Sequence, residues 1–453
     1  MSRAWTGLIV VVAGVAATAS AEDAVVIWGA TVIDGTGRAP VKDAVIVIQG
    51  GRIAQFGPRP EVKIPEDAQA IEARGKFVIP GLADMHNHLG DGTFNFLEQR
   101  EKKNLARLLG AGVTLTFDPA CEMKVFVELK AAAKDDAAPF PRFFAVGHIF
   151  SAKGGWGVGP DCYTPATADE ARANVRELKA AGVDAIKLVR DDMSWLRKKP
   201  FPLVESDVMA AIIDEAHRRG LKAYAHAPIL KYAKEALRAG ADGLVHGIIS
   251  DPVDDEFLAL MKKNRAIYIA TMSLFEACAD LSAWVKRESA FDDRGVMPRE
   301  TYESVGSPFA LVGWNLMWDN TGYAKERMPV LRANLKAVHD AGIPVVAGTD
   351  TGVPGVLLGV SSQMELLLHV EAGLRPEDAL RAATVVAARM LGLGRELGTV
   401  EPGKLADLLI LDADPLADIR NVRRIHRVVK GGVARDPVEL LRAGRRPTAP
   451  ARR

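Results

Sequence analysis

For most of its length the chain alternates short apolar runs with longer amphipathic stretches. Eight runs read as strands: Phe77–Met85, Val113–Phe117, Phe143–Val146, Val183–Val189, Leu221–Ala225, Gly243–Val245, Ala266–Ala270 and Ile343–Ala347. Helical periodicity fills most of the gaps, as in Thr167–Ala181, Glu205–Arg219, Leu230–Ala239 and Arg327–Ala341. Several of these helices stop at a glycine (Gly182, Gly220, Gly240, Gly342), the residue that takes the left-handed helix-ending conformation cheaply. Eight strand–helix units in series predict an α/β fold, a closed (β/α)8 TIM barrel over 77–395. A doubly wound open sheet is the rival, but no Gly-rich phosphate loop follows the first strand.

Both chain ends follow a different pattern. Ala24–Trp28, Asp43–Gln49 and Arg52–Phe56 are rich in β-branched residues and punctuated by the turn Asp34-Gly35-Thr36-Gly37. Strand-like runs return at Leu405–Asp412 and Arg424–Val433. Together they predict one small β-sandwich domain composed of 22–76 and 396–436, with a disordered tail at 437–453. The stretch Leu274–Lys325 is too long for a simple connection and carries Trp284, Trp314 and Trp318. It reads equally as a substrate wall or as a helical decoration.

The first 21 residues predict a signal peptide. Arg3 precedes the apolar run Trp5–Ala17, and Ala19-Ser20-Ala21 forms a small-residue cleavage site. The run is shorter than the roughly 20 residues of a bilayer span, so cleavage is favoured over an uncleaved anchor, without stable membrane insertion. The expected location is periplasmic or secreted. Lys+Arg (58) and Asp+Glu (57) nearly cancel, so no long-range field recruits nucleic acid. A homo-oligomer stays open. Three scattered cysteines (Cys121, Cys162, Cys278) form no disulfide framework.

Polar residues at strand ends carry the chemistry. His86 and His88 close the first barrel strand, His226 the fifth, His246 the sixth and Asp350 the eighth. Residues two apart on a strand face the same way, so His86 and His88 point together into the barrel mouth. Barrel enzymes place their active sites at that face. Buried polar groups need partners, and a metal supplies one. Asp84 shares the face of His86 and fits behind it. Lys187 sits on one face with Val183 and Ala185. It is either an ion-paired structural amine or a buried, neutral amine, which could take up carbon dioxide to give a carbamate. His148, beyond the third strand, and Gly154-Gly155 are candidates for substrate contact. His217, His339, His369 and His426 read as ordinary structural residues.

These motifs reach a family resemblance. Val78-Ile79-Pro80-Gly81-Leu82-Ala83-Asp84-Met85-His86-Asn87-His88 resembles the first-strand signature of the amidohydrolase superfamily, as does Gly398-Thr399-Val400-Glu401-Pro402-Gly403-Lys404-Leu405-Ala406-Asp407-Leu408. Gly110–Thr114 is similar to the family's second-strand approach. Ala181–Lys187, Ala225-His226-Ala227 and Val245-His246-Gly247 resemble the branch of imidazolonepropionase-like enzymes and metal-dependent prolidases and carboxypeptidases.

The resemblance implies two divalent metal ions, usually zinc. His86, His88 and Asp350 would hold one, His226 and His246 the other, with carbamylated Lys187 between them. It also implies a small molecule or dipeptide as partner, and cleavage of an amide bond (dipeptide, N-acyl amino acid or cyclic amide) by a metal-bridging hydroxide, with Asp350 moving the proton. An esterase or lactonase using the same site, and a non-catalytic binding protein on the same fold, are the alternatives.

Overall fold

The computed structural model describes residues 24–89, 102–136, 138–159 and 162–443; the predicted signal segment and residues 444–453 lie outside them. The barrel strands are β1 (Leu82–Asp84), β2 (Val113–Asp118), β3 (Arg142–Ala145), β4 (Ala185–Val189), β5 (Lys222–His226), β6 (Gly243–Leu244), β7 (Ile267–Ile269) and β8 (Val345–Val346). Parallel pairing joins β1 through β3 and β4 through β8. Backbone hydrogen bonds bridge both seams, among them Asp184 N to Ala145 O (2.9 Å) and Met85 N to Ala347 O (3.0 Å). The barrel predicted from eight apolar runs is therefore present. Its interior is packed by Phe117, Ala185, Val189, Tyr224, Ile269 and Val346. Ile186 and Leu188 instead join the core shared with the outer helices. Alternation thus places Lys187 on the inward face of β4 with Ala185, the residue whose face it was expected to share.

The run Phe77–Met85 is not one strand. Phe77–Pro80 pairs antiparallel with Leu408–Leu411 and parallel with Val25–Val32, so it belongs to the terminal sheet. Gly81 is the joint, and the domain boundary expected at 77 moves to it. The chain passes so close to β2 there that a Cβ would lie 2.2 Å from Thr114 Oγ1. Apolar patterning alone could not separate the two strands, because both sides of the joint are buried.

Strands from both chain ends form one eight-stranded sheet, running from Val433–Arg435 through Leu408–Leu411 and Val25–Val32 to Arg52–Pro58. The sheet curls until its hairpin turns meet. Ala406 N donates to Gly51 O (2.8 Å) and Gly432 N to Ala406 O (3.1 Å). Ile27, Ile46, Ile53, Val78, Ile410 and Val429 fill the concavity. Beyond the sheet, Pro437–Ala443 is a helix and not the expected disordered tail. Its Leu440 and Leu441 are buried, packing at Gly110.

The long insertion folds as the helices Met272–Ala279, Leu281–Phe291, Arg299–Val305 and Pro308–Met317, followed by Thr321–Asp340. Buried carboxylates tie it to the helix Val360–Glu371. Glu365 accepts from Met272 N (2.7 Å), Ser273 N (2.8 Å) and Ser273 Oγ (2.6 Å), and Ser361 donates to Glu288.

Sheet and barrel are clamped by a buried ion pair. Arg142, opening β3, donates twice to Asp407 (2.7 and 3.1 Å), and Asp407 also accepts from Gly431 N (2.8 Å). Arg142 also pairs with the exposed Asp136, but among the described residues its Nε and Nη2 have only Asp407, and leaving buried charge-bearing donors unpaired typically costs about 3–5 kcal/mol. Asp407→Ala is accordingly expected to lower stability by about 3 kcal/mol or more, read as a fall in the urea midpoint. An unchanged midpoint would mean the pair is not the clamp.

Candidate metal centre

The strand ends converge at the barrel mouth. His86 Nε2 lies 3.3 Å and His88 Nε2 2.9 Å from Asp350 Oδ1. One ligand atom from each of these three residues falls within 4.8 Å of the others. Lys187 Nζ is 3.4 Å from His86 Nε2, and His246 Nδ1 is 3.9 Å from Asp350 Oδ2. The His226 and His246 rings stand 4.2 Å apart. All six predicted residues are thus in one buried cluster.

The backbone explains why they meet. After Asp84 the chain bends, and Asp350 N and His88 N bind across the seam to His86 O (2.7 Å) and Thr351 O (2.9 Å). Gly348 permits the approach: a Cβ there would sit 2.8 Å from His86 N. Asp350 itself has φ 65°, a left-handed conformation unusual for a residue with a side chain. Such strain costs about 1–3 kcal/mol and persists only where surrounding contacts impose it.

Hydrogen bonds orient the rings. His86 Nδ1 meets Val245 O (2.9 Å) and His246 Nδ1 meets Thr271 Oγ1 (2.9 Å). Nε2 of each remains for a cation. His226 Nε2 contacts Asp191 Oδ2 (3.0 Å), which leaves Nδ1. Asp84 does not stand behind the His86 ring as expected. The bend turns its carboxylate to Thr349 Oγ1 (2.8 Å) and Ser362 Oγ (2.6 Å), where it braces the backbone of both strand ends. Burial raises its pKa to about 6.

Burial lowers the His86 pKa to about 3, against the pull of Asp350, so the ring is a neutral donor at ordinary pH. Burial, then the neighbouring His226 and His86, lower His246 as well. For Asp350, burial acts upward, but His86 and His88 outweigh it and hold the carboxyl well below its usual range. For His88, burial acts downward, but Asp350 outweighs it and raises the pKa. His86 and His246, held neutral, beside an ionised Asp350 are donors of the kind a divalent cation takes. The residues present fit a metal.

A cavity of about 940 Å³, counted to its open mouth, has His88, Lys187, His226, His246 and Asp350 in its wall. The remaining wall is largely apolar, with Trp156, Trp195, Trp314 and Trp318. His148, Gly154 and Gly155 are not part of it. Gly147 turns the chain with φ 67°, and His148 packs edge-on against Tyr163, ring centroids 5.0 Å apart. Gly155 is pressed against Ser151 and Ala152; the same loop presents Trp156, Gly157 and Gly159 instead. Cys278 also lines the cavity, but burial pushes its thiol pKa well up, so it is no ready nucleophile.

Sequence reasoning missed Asp191, Asp118 and Thr271. Asp118 accepts from Leu89 N (2.9 Å) and holds the segment after His88. The signal was available: Asp118 ends β2 and Asp191 lies two residues past β4, the placement that singled out the histidines.

Fold and site together define a barrel hydrolase whose mouth can hold metal. The amidohydrolase family profile matches residues 77–435, and the chain belongs to that family. Ochratoxinase from Aspergillus niger is 26% identical over 458 residues, covering 90% of this chain and 85% of the relative. Imidazolonepropionase from Thermoplasma volcanium is 24% identical over 404 residues, covering 86% and 89%. A Bifidobacterium longum structure provisionally called a prolidase superposes with a TM-score of 0.73 at 28% identity, covering 93% and 99%. The protein is a hydrolase of the carbon–nitrogen-bond class.

Gly348→Ala is expected to push His86 away from Asp350 and abolish metal binding at that pair, with the barrel still folded. Metal analysis beside circular dichroism reads both, and full metal content in the variant would contradict the packing argument.

Proposed function

We propose that the protein is an exported amidohydrolase that uses two divalent metal ions, best suited as zinc, to cleave the amide bond of a dipeptide, an N-acyl amino acid or a cyclic amide. The observation that carries this reading is the convergence of His86, His88, Lys187, His226, His246 and Asp350 in one cluster, of which all but the fully buried His86 line the cavity. The relatives named for prolidase, imidazolonepropionase and ochratoxinase activities support the bond type.

His86, His88 and Asp350 would hold one cation, and His226 and His246 the other. Bound there, the cations supply an acidified water and a Lewis acid for the scissile carbonyl. The protein's own groups do the rest. Asp350, ionised and held between two imidazoles, accepts a proton at its carboxylate and returns it to the leaving nitrogen. The apolar wall excludes bulk water and strengthens every charge interaction at the floor. Lys187 lies beside His86, where an ammonium would repel a cation. Its amine would instead add to carbon dioxide, forming one N–C bond and losing a proton. The resulting carbamate would offer its oxygens as further ligands for the cations.

Metal analysis tests the centre. The purified protein is expected to carry about two divalent ions per chain, and His226→Ala to lower both occupancy and turnover. Activity surviving complete metal removal would overturn the reading. Lys187→Ala is expected to lose metal and activity together, with partial rescue by short carboxylic acids. Two retained metals and near-native turnover would exclude the carbamate.

Export is proposed from Arg3, the apolar run after it and Ala19-Ser20-Ala21. Among the described residues no helix is long and apolar enough to cross a membrane. Amino-terminal sequencing of the native protein is expected to begin at Glu22; an intact Met1 on a membrane-bound product would refute it.

A further inference from the structure

One carboxylate serves both the ligand cluster and the barrel's own side of the cavity wall. Asp191 lies two residues past β4 and is 1% exposed. Its Oδ1 accepts from Met193 N (2.9 Å), and its Oδ2 from Trp195 Nε1 (3.0 Å). His226 Nε2 reaches the same Oδ2 at 3.0 Å. Main-chain and indole nitrogens donate and do not accept, so each carboxylate oxygen already serves as an acceptor. The consistent partner for Oδ2 is then a protonated Nε2. A neutral imidazole carries its proton on one nitrogen and a lone pair on the other, so Nδ1 is left bare. That is the nitrogen available to a cation; the other tautomer would present an N–H there instead.

The turn that carries Asp191 is itself held firmly. Met193 has φ 58°, in the left-handed region, and its N–H bond to Asp191 closes the turn around it. The neighbouring Asp192 anchors the same turn, accepting from Ser194 N (3.0 Å) and Tyr232 Oη (2.8 Å). Met193, Trp195 and Leu196 from this segment all line the cavity.

We infer that Asp191 is a positioning residue, which fixes His226 as the tautomer able to ligate and seats Met193 and Trp195 with the same two oxygens. Its consequence for metal binding rests on the two-ion reading above; its hold on the His226 ring does not.

NMR of the full chain as purified, with isotope-labelled histidine, reads that hold. The wild type should show a downfield, slowly exchanging Nε2–H signal that disappears in His226→Gln. Asp191→Leu keeps a similar buried volume and removes both acceptors, so the signal should move upfield or exchange with water. Asp191→Ala is the second variant. Trp195→Phe should retain the signal, because it leaves the Asp191–His226 bond in place. Circular dichroism establishes that each variant is folded.

Zinc titration against a competing chelator reads the consequence. One of the two ions should bind about 10–100-fold more weakly in Asp191→Leu, the usual loss when the outer partner of a ligand is removed. The ion held by His86, His88 and Asp350 should change far less. A proton on Nδ1 of His226 in the wild type, zinc affinities unchanged in both Asp191 variants, or equal weakening of both ions would overturn the proposal. The downfield Nε2–H signal in a wild type that takes up no zinc would leave the positioning role standing and remove the two-metal reading.

Discussion

The whole centre depends on one close approach, the seam where the end of β8 meets the end of β1. Gly348 lies against the backbone of His86 because it has no side chain, and Asp350 N binds His86 O across the gap. With these contacts in place, Asp350 is driven into the left-handed region and its carboxylate lands between two imidazoles. The electrostatics follow from that position. A carboxylate buried with no cationic or imidazole neighbour would protonate; this one stays ionised because two rings face it. Asp84 steadies the same seam from the outer side, bonding Thr349 and Ser362 while its own charge is penalised by burial. Strain and an expensive buried carboxyl are both concentrated where barrel closure and the ligand cluster coincide.

Much of this could be read from the chain. Period-two alternation set Lys187 inward between Ala185 and Val189, and polar residues closing apolar runs marked His226, His246 and Asp350. Those features are local, so a sequence displays them. The misreadings are all tertiary. Phe77–Met85 looks like one strand because the kink at Gly81 arises from Thr114, some thirty residues away. Asp84 and His86 are two apart, yet the bend between them cancels their shared face. His148 follows a strand as the true site residues do, but the turn at Gly147 aims it at Tyr163. Leu440 and Leu441 order a segment whose Pro and Arg content suggested disorder, because Gly110, at the end of the helix Lys102–Gly110, leaves room for both side chains.

The cavity wall was the least legible part. Nothing about Trp314 or Trp318 in the sequence tells a cavity-lining indole from a core one. What separates them from Trp284, which lies off the cavity and donates to Gly355 O, is where the insertion's helices carry each ring, and that exists only in three dimensions. Trp195 lines the same cavity, and its indole N–H binds the same Asp191 carboxylate that meets His226, so it ties the wall to the ligand cluster.

The insertion and the barrel are held by different means, and that difference bears on what each can do. Barrel strand ends are fixed by backbone hydrogen bonds and by glycines with no room to spare, so a ligand there moves only if the seam moves. The insertion instead hangs from buried carboxylates, Glu365 under Met272 and Ser273, and Glu288 at Ser361. Its helix Pro308–Met317 carries no charged residue, buries Trp314, and leaves Phe309 and Leu316 largely exposed. At the insertion's other end Asn320 donates to Ser194 O (3.0 Å) and Leu196 O (3.1 Å), so the wall is fixed away from the seam and can change its lining side chains without disturbing it. Ligand geometry and substrate fit are therefore separable in this chain, the first set by the barrel backbone and the second by side chains of the insertion.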